Sequence, residues 1–317
     1  MPKRPEIPQQ IVLAFLPFFH TFGLAYNLGA HFYLGSKLIC LPKFEPELFL
    51  DAIEKHKVTF LPLVPPIVLF LTKHPMVEKY DLSSVKYIMC SAAHLSGELE
   101  NTLLKRFPNV CSVQQGYGLT ETGGGAMVNP LEKPPTKSGS IGVLLPNTEA
   151  KVKDLQSGKA LGPGEDGEIC IRGPGITKGY LNNPEQTAQA IDQDGWLHTG
   201  DIGHYDEDEY FYIVDRKKEL IKYKGFQVAP AELEAVLVTH PLITDAAVIG
   251  IPDEEAGELP RAFVVTKGGI TAEEIHQYVA VKVAPHKKLR GGVEFVESIP
   301  RAASGKILRR ELRKQYK

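Results

Sequence analysis

QQGYGLTET, the stretch from Gln114 to Thr122, is the part of the sequence around which the chain is organised. An apolar run, Val110–Val113, leads into it as a buried strand would, and Gly123–Gly125 follow it. Glycines allow a backbone to approach a ligand closely. The stretch therefore predicts a nucleotide-binding segment, and a glycine-rich turn after a core strand is the plainer alternative.

The side chains of this stretch suit a nucleotide. Tyr117 offers an aromatic face to a base, and Thr120 offers a hydroxyl to a phosphate oxygen. Glu121 offers a carboxylate to a hard cation such as Mg²⁺. Because a single short motif favours the plain turn, the interpretation depends on the later parts of the sequence.

The composition is that of a globular protein with more than one domain. The chain has 317 residues, of which 43% are hydrophobic and 23% are charged, and its formal net charge is -2. This near balance gives no indication of nucleic acid or an anionic membrane as the main partner. The longest apolar stretch, Phe60–Leu71, is short and interrupted by prolines, so we expect no transmembrane segment.

The cysteines and the chain ends predict an intracellular, cytoplasmic protein. Cys40, Cys90 and Cys111 end or interrupt apolar runs, which predicts buried, reduced thiols, and Cys170 makes no CxxC pair with any of them. The N-terminus lacks the apolar segment of a signal peptide, and the C-terminus is not a Ser-Lys-Leu-type peroxisomal signal.

Residues 11–113 alternate between apolar runs and amphipathic segments, which predicts a mostly parallel sheet covered by helices. Pro46 at a first-turn position and Ser96 at an N-cap position support two of the helices. The predicted strands are Ile11–Leu16, Lys37–Leu41, Val58–Leu63, Val85–Cys90 and Val110–Val113, and the predicted helices are Leu24–Leu34, Pro46–Lys57, Pro66–Lys73 and Ser96–Phe107.

Ligands of such sheets bind at the carboxyl ends of the strands. One predicted end is followed by a loop with His20, although a single histidine is more often structural. A second is followed by the small residues Ser91–Ala93, against which a flat ring can lie, and by His94. The third leads into the stretch from Gln114, so these three loops are expected to surround one site.

Residues 126–214 are rich in glycine and proline, and alternating runs such as Ala150–Lys153 predict a small antiparallel β subdomain. Near its end, Gly195–Asp201 reads GWLHTGD. A carboxylate after a glycine turn can accept from both hydroxyls of a ribose, which makes Asp201 a candidate; an aspartate that caps a turn is the plainer alternative.

A charged segment, Asp215–Glu219, follows an apolar strand and predicts a domain boundary. The segments beyond it predict a compact α+β unit, whose last motif, Ser304–Lys306, carries a mobile cation before a final helix. We therefore predict an α/β subdomain at 1–125, a β subdomain at 126–216 and an α+β domain at 217–317.

Taken together, these stretches resemble the adenylate-forming superfamily, in its branch of acyl-CoA synthetases, 4-coumarate–CoA ligases and beetle luciferases. The resemblance extends over nearly the whole chain. It implies the α/β fold class, with part of a large adenylation domain followed by a small, mobile α+β C-terminal domain. Its motifs are Gln115–Glu121, Gly195–Asp201, Asp215–Lys222, Lys224–Glu234 and Ser304–Lys306.

The resemblance implies a two-step reaction of a small carboxylic acid with ATP, Mg²⁺ and coenzyme A. The carboxylate attacks the α-phosphate of ATP to give acyl-AMP and pyrophosphate; the small domain then rotates, and the thiol of coenzyme A attacks the acyl-AMP. A peroxisomal location also occurs in the family. A non-catalytic nucleotide- or acyl-binding protein and a luciferase-like oxygenase are the alternatives.

The resemblance also implies roles for single residues. Lys306 would stabilise charge during adenylation, Thr120 would contact the phosphate and Glu121 would bind Mg²⁺. Asp201 and Arg216 would contact the ribose, and Lys218 would lie at the hinge between the domains. The further residues implied are Gln115, Gly116, Tyr117 and Lys222 for the nucleotide, Lys43, Lys224 and Gly225 for coenzyme A, and His20, Phe22, Ala92 and Ala93 for the acyl pocket, with His20 also in the catalytic set.

The sequence departs from the family pattern near its N-terminus. The family carries a Ser/Thr/Gly-rich phosphate loop with a lysine upstream of the position that matches His20, whereas Met1–Gln10 contains no glycine, serine or threonine. We therefore expect a chain that is N-terminally truncated relative to the family. It should form the thioester from acyl-AMP better than it forms acyl-AMP from ATP.

Overall fold

The computed structural model describes residues 9–93, 95–130 and 137–315, so His94 and most of Met1–Gln10 lie outside the described residues. Within these ranges the strands form a seven-stranded, a four-stranded and a five-stranded sheet, in chain order. The strands are β1 (Ile11–Ala14), β2 (Lys37–Cys40), β3 (Phe60–Leu63), β4 (Tyr87–Cys90), β5 (Ser112–Leu119), β6 (Gly124–Val128), β7 (Val143–Leu144), β8 (Glu149–Lys153), β9 (Gly167–Arg172), β10 (Leu197–Tyr205), β11 (Phe211–Arg216), β12 (Ile221–Tyr223), β13 (Phe226–Val228), β14 (Ile243–Asp253), β15 (Gly257–Thr266) and β16 (Val293–Phe295).

The helices lie mainly in the first and last thirds of the described chain. A π-helix, Phe22–Ala30, continues into the first α-helix, and short 3₁₀ segments cover Pro75–Lys79, Thr120–Thr122 and Pro285–Lys287. The α-helices are α1 (His31–Tyr33), α2 (Pro46–His56), α3 (Pro65–Lys73), α4 (Gly97–Arg106), α5 (Pro184–Ala190), α6 (Pro230–Val238), α7 (Ala272–Ala280) and α8 (Arg309–Gln315).

The first sheet has the strand order β2-β1-β3-β4-β5-β6-β7. Its pairs from β2 to β5 are parallel, and β6 and β7 add antiparallel strands at one side. The predicted mostly parallel sheet with helices is confirmed. The predicted caps also form: a proline stands at the first turn of α2, and Ser96 Oγ accepts from Leu99 N at 3.3 Å.

The core of this part lies between the sheet and its covering helices. Leu13 and Leu61 of the sheet and Phe49 and Ile53 of α2 are all 1% exposed or less. Burial of such side chains contributes roughly 1.5–3 kcal/mol each, which fixes α2 on the sheet and therefore fixes the strand ends that face the candidate site.

The structure corrects two details of the first part of the chain. The stretch around Tyr117 is not a loop after a short strand; β5 runs from Ser112 to Leu119 because its second half pairs with β6. The predicted helix Leu24–Leu34 is largely a π-helix, a form that is frequent at functional sites.

The prediction of buried cysteines is right for Cys90 and wrong for Cys40 and Cys111, which are both exposed. Cys40 ends β2, the edge strand of the sheet, and Cys111 lies in the turn before β5. A cysteine at the end of an apolar run is therefore not always buried, because the run alone does not determine whether the thiol faces the core or the solvent. All four cysteines are free.

The second and third sheets are mainly antiparallel, with β16 added in parallel to β15. The third sheet has its own core with α6 and α7, in which Leu233, Leu237, Ile275 and Val279 are fully buried. This separate core agrees with the predicted α+β unit. In the described part of the chain, every helix is too short or too polar to cross a bilayer.

Candidate active site

Two neighbouring cavities lie where the carboxyl ends of the parallel strands meet the later domains. The larger has a volume of about 930 Å³ and is lined by the π-helix, β5, β10 and the loop of Lys306. The smaller, of about 270 Å³, lies between α3, α4 and α6. Gly116–Leu119 of β5 line both cavities, so the stretch that opened the sequence analysis forms the wall between them.

Glycine at position 118 is required by the packing of this wall. A Cβ atom on Gly118 would lie 1.8 Å from the carbonyl oxygen of Gly124 in the paired strand. The register of the pair shifts between Tyr117 and Gly118, which brings the two backbones together at this point. The glycines therefore allow the backbone of β5 to lie close to the backbone of β6. The opposite face of β5 remains open to the cavities.

Tyr117, Asp201 and Arg216 form a polar group beside this wall. The Tyr117 hydroxyl donates to Asp201 Oδ2 at 2.6 Å, and Arg216 Nε lies 3.4 Å from Asp201 Oδ1. Burial raises the pKa of Asp201, whereas the bond from Tyr117 and the charge of Arg216 favour its ionised form. The result is a buried acceptor on the wall of the smaller cavity, a suitable partner for sugar hydroxyls.

Glu121 and Thr120 line the larger cavity, where Glu121 Oε1 accepts from the hydroxyl of Tyr180 at 2.7 Å. Mg²⁺ in nucleotide sites is typically held by one or two carboxylates and by phosphate oxygens. Glu121 can provide such a carboxylate oxygen on the cavity wall, so the donor set fits a magnesium ion bound together with a nucleotide.

Lys306 enters both cavities from the C-terminal part of the chain. Its loop is held by Arg301, which donates to the carbonyl oxygen of Gly305 at 2.8 Å. Burial, and then the charge of Arg216, lower the pKa of Lys306, while Asp201 and Glu121 raise it. His20 lines the larger cavity, and burial together with Lys306 lowers its pKa, which favours the neutral imidazole.

The side chain of Gln115 holds the wall in place from behind. It is 2% exposed, accepts from Leu95 N at 3.2 Å and donates to Glu100 at 3.3 Å.

Ala92 has a φ of 70°, a strained value for a residue with a side chain, and it lines both cavities, whereas Ala93 lines only the smaller one.

Four residues assigned to cofactor binding lie outside both cavities: Lys43, Lys222, Lys224 and Gly225. Lys43 is exposed and pairs with Glu45 at 2.9 Å. Lys224 and Gly225 form the turn of the hairpin between β12 and β13, with φ values of 46° and 82°. The remaining predicted residues, His20, Phe22, Ala92, Ala93, Gln115, Gly116, Tyr117, Thr120, Glu121, Asp201, Arg216, Lys218 and Lys306, line one cavity or both.

Several residues of the site were missed by the sequence analysis. Tyr180, the partner of Glu121, lies in a loop whose only signal was an aromatic residue after a glycine. Glu168 is 7% exposed and holds the irregular segment of β10 just before Asp201, because it accepts from Gly200 N at 3.2 Å and from Lys217 at 3.3 Å. Among the described residues, Glu168, Cys170 and His198 also bring three metal-binding atom types within 4.8 Å, but Glu168 is already paired there.

The chain is similar in sequence to known proteins. The model of the AMP-binding enzyme family matches residues 1–181, and that of the AMP-binding enzyme C-terminal domain matches residues 232–306. A 4-coumarate–CoA ligase of Vanilla planifolia is 52% identical over 308 residues, which are 96% of this chain and 55% of that protein. Luciferin 4-monooxygenase of Photinus pyralis is 48% identical over 309 residues, 97% of this chain and 56% of that protein.

Solved structures share the fold of this chain. The anthranilate CoA ligase AuaEII in complex with anthranoyl-AMP gives a TM-score of 0.88 at 28% identity, covering 98% of this chain and 60% of that one. ATP-bound MatB from Rhodopseudomonas palustris gives a TM-score of 0.85 at 30% identity, with the same two coverages of 98% and 60%. The chain thus spans little more than half the length of the curated relatives it matches.

Proposed function

Because this chain belongs to the AMP-binding enzyme family, we propose that its two cavities bind an adenine nucleotide and a small carboxylic acid, and that the protein joins this acid to coenzyme A through an acyl-AMP. The observation that carries the proposal is the position of Lys306. A lysine from the C-terminal part of the chain lines the same cavity as Thr120 and Glu121, which directly follow β5, and Arg216, which ends β11.

The charges in this cavity suit displacement at a phosphate. Such reactions depend mainly on positive charge held where negative charge develops, in a fixed geometry. Lys306 and Arg216 provide positive charge, and Thr120 provides a hydroxyl donor. Mg²⁺, when bound, would neutralise phosphate charge beside Glu121. Asp201 would accept from the ribose, next to Tyr117.

The larger cavity also has an apolar part that suits the acid. Phe22, Tyr26 and Met89 line it beside His20, so that an apolar acyl or aryl group can be buried while its carboxylate points towards Lys306. We propose an aryl or medium-sized acyl acid, in keeping with the 4-coumarate–CoA ligases among the relatives.

The residues that line neither cavity support a second position of the C-terminal domain. Lys224 and Gly225 form an exposed turn on that domain, away from the cavities that Lys306 enters. We propose that the domain turns about the charged segment Asp215–Glu219 after adenylation. Lys306 would then leave, and the hairpin of Lys224 would approach the thiol of coenzyme A.

The proposal is tested by incubating the 317-residue chain with a panel of carboxylic acids, ATP, Mg²⁺ and coenzyme A. Formation of an acyl-CoA thioester from at least one acid is the expected result. A parallel reaction starts from synthetic acyl-AMP and coenzyme A, and we expect it to be the faster of the two. Saturable AMP binding without any product would favour a non-catalytic binding protein, and light emission with luciferin would favour an oxygenase.

Asp201→Asn is expected to weaken AMP binding about 10- to 150-fold. The substitution preserves the shape of the side chain but removes the charge of the carboxylate that would accept from the ribose hydroxyls. A hydrogen bond to a charged group contributes about 1.5–3 kcal/mol. Isothermal titration with AMP measures the effect, after the melting temperature has shown that the variant is folded.

Asp166→Asn is the matched control, because Asp166 is 56% exposed and pairs with His204 rather than with a cavity residue. Its AMP affinity should equal that of the unchanged chain. If Asp201→Asn binds AMP as tightly as this control does, Asp201 is not the ribose acceptor.

A further inference from the structure

Lys73, the last residue of α3, makes a contact that the reaction described above does not use. Its Nζ atom donates to the carbonyl oxygens of Val238 at 2.5 Å, His240 at 2.9 Å and Ile243 at 2.8 Å. An ammonium group has three N–H donors, so every one of them is used. The acceptors all belong to the C-terminal domain, 165 to 170 residues further along the chain.

The three carbonyl oxygens that accept from Lys73 lie together at the carboxyl end of α6. Val238 is the last residue of that helix, and Ile243 is the first of β14. The last carbonyl groups of a helix have no partner within it, and they carry the negative end of the helix dipole. A half-buried cation at this position therefore binds three acceptors and complements the dipole at the same time.

A cap at the end of α3 and the charge of Lys73 both support its contact with the C-terminal domain. Arg106 of α4 caps this end by donating to the carbonyl oxygen of Thr72 at 2.6 Å. Burial, and then Lys267, lower the pKa of Lys73 to about 8, while Glu98 raises it. At neutral pH the side chain is therefore still mainly an ammonium, the form that has three donors.

The other end of α3 also contacts the C-terminal domain. Val64 directly precedes the helix, and a Cβ atom on Gly305 would lie 3.1 Å from Val64 Cγ2. Gly305 is the neighbour of Lys306. The nine residues of α3 span about 13 Å, so the helix meets the Lys306 loop at one end and holds α6 at the other. Two contacts this far apart restrict the orientation of the C-terminal domain.

We propose that Lys73 is a positioning residue, which holds the C-terminal domain in the orientation that brings Lys306 into the cavity. Lys73 lines neither cavity itself, so it acts through Lys306. The inference rests on the proposed function only in its kinetic part. Loss of Lys73 slows adenylation, which needs Lys306 in the cavity, and leaves thioester formation from acyl-AMP intact or faster.

The structural part is tested by the reactivity of Lys306. The 317-residue chain and its Lys73→Met variant are treated briefly with an amine-modifying reagent, and modification of each lysine is measured by mass spectrometry, with exposed Lys55 of α2 as the internal reference. Because a charged hydrogen bond shifts an equilibrium by at least about tenfold, we expect Lys306 to be modified about tenfold faster in Lys73→Met. Lys79→Met, at an exposed lysine six residues along, should leave the rate unchanged.

The kinetic part uses the same variants. Adenylation is followed as pyrophosphate release, and thioester formation is followed separately from synthetic acyl-AMP and coenzyme A. In Lys73→Met the first rate falls about tenfold or more and the second does not fall. Lys73→Arg, which keeps the charge, recovers part of the adenylation rate and part of the protection of Lys306.

The outcomes separate this inference from the proposed function. Unchanged modification of Lys306 in folded Lys73→Met overturns the role of Lys73, whatever the activity. Faster modification without acyl-AMP formation by any variant supports the role of Lys73 and contradicts the proposed function. If Lys73→Met does not fold, Lys73→Gln is measured by the same criterion, because it keeps two donors and removes the charge.

Discussion

Arg309→Ala is expected to destabilise the C-terminal domain by about 3–5 kcal/mol, the usual effect of removing one partner from a buried ion pair. Arg309 Nη2 donates to both carboxylate oxygens of Glu234, at 2.7 and 2.8 Å, and each side chain is 14% exposed. Burial raises the pKa of Glu234, while Arg309 favours its charge. Without Arg309, the carboxylate keeps one hydrogen bond from the described residues, that of Val248 N at 2.8 Å.

The same helix provides the control. Arg313, one turn further along α8, pairs with Glu219 at 2.9 Å, but the two side chains are 38% and 24% exposed. Arg313→Ala should therefore change stability by only about 0–1 kcal/mol. The free energy of unfolding of both variants is measured by urea unfolding, and amide exchange in α6 and β14 reports the stability of the C-terminal domain. Equal destabilisation by the two substitutions would contradict the assignment of Glu234 and Arg309 as the pair that fixes α8.

Lys306→Ala should lower the rate of adenylation about 10²- to 10³-fold, the range seen when one charge-stabilising donor is removed from an active site. AMP binding should change little, since Asp201 and Arg216 remain. The lowered pKa of Lys306 means that its ammonium is lost at a lower pH than that of an exposed lysine. Adenylation by the unchanged chain should therefore decline early on the alkaline side. Single-turnover detection of acyl-AMP, with protein in excess, measures the adenylation rate of the variant and the pH dependence of the unchanged chain.

Lys224→Ala is the matched control for this prediction. Lys224 lies on the exposed hairpin turn, so its loss should leave adenylation unchanged and slow thioester formation from synthetic acyl-AMP. Lys306→Ala should have the opposite pattern. Equal loss of both steps in the two variants would argue against the separate poses of the C-terminal domain.

Periodicity and capping were sufficient to predict most of the fold. The runs before and after Pro46 and Ser96 gave helices whose ends agree with α2 and α4 within a residue or two, because caps and apolar spacing act locally. The extension of β5 to Leu119 was missed, since it depends on pairing with β6, and glycines in a strand do not reveal a partner.

Most cavity-lining residues that the sequence analysis singled out stand in a motif, whereas Tyr180 and Glu168, which it missed, do not. Asp201 and Lys306 stand in segments with unusual glycine spacing, which draws attention to them. Tyr180 and Glu168 act through partners 59 and 32 residues away, and Lys73 through carbonyl groups more than 160 residues away. Backbone acceptors have no signature in a sequence, so nothing in the sequence indicated the contacts that Lys73 makes at the end of α3.

The two-sided pairing of β5 has a consequence for cooperativity. Ser112–Gln115 pair in parallel with β4, and Gly116–Leu119 pair with β6 in the opposite sense. Because β5 is one continuous strand, we expect a ligand that contacts its second half to stabilise both ladders. Nucleotide should therefore slow amide exchange in β4 as well as in β6, whose residues Met89 and Gly124 both line the larger cavity, and local opening of either ladder would be a route for its release.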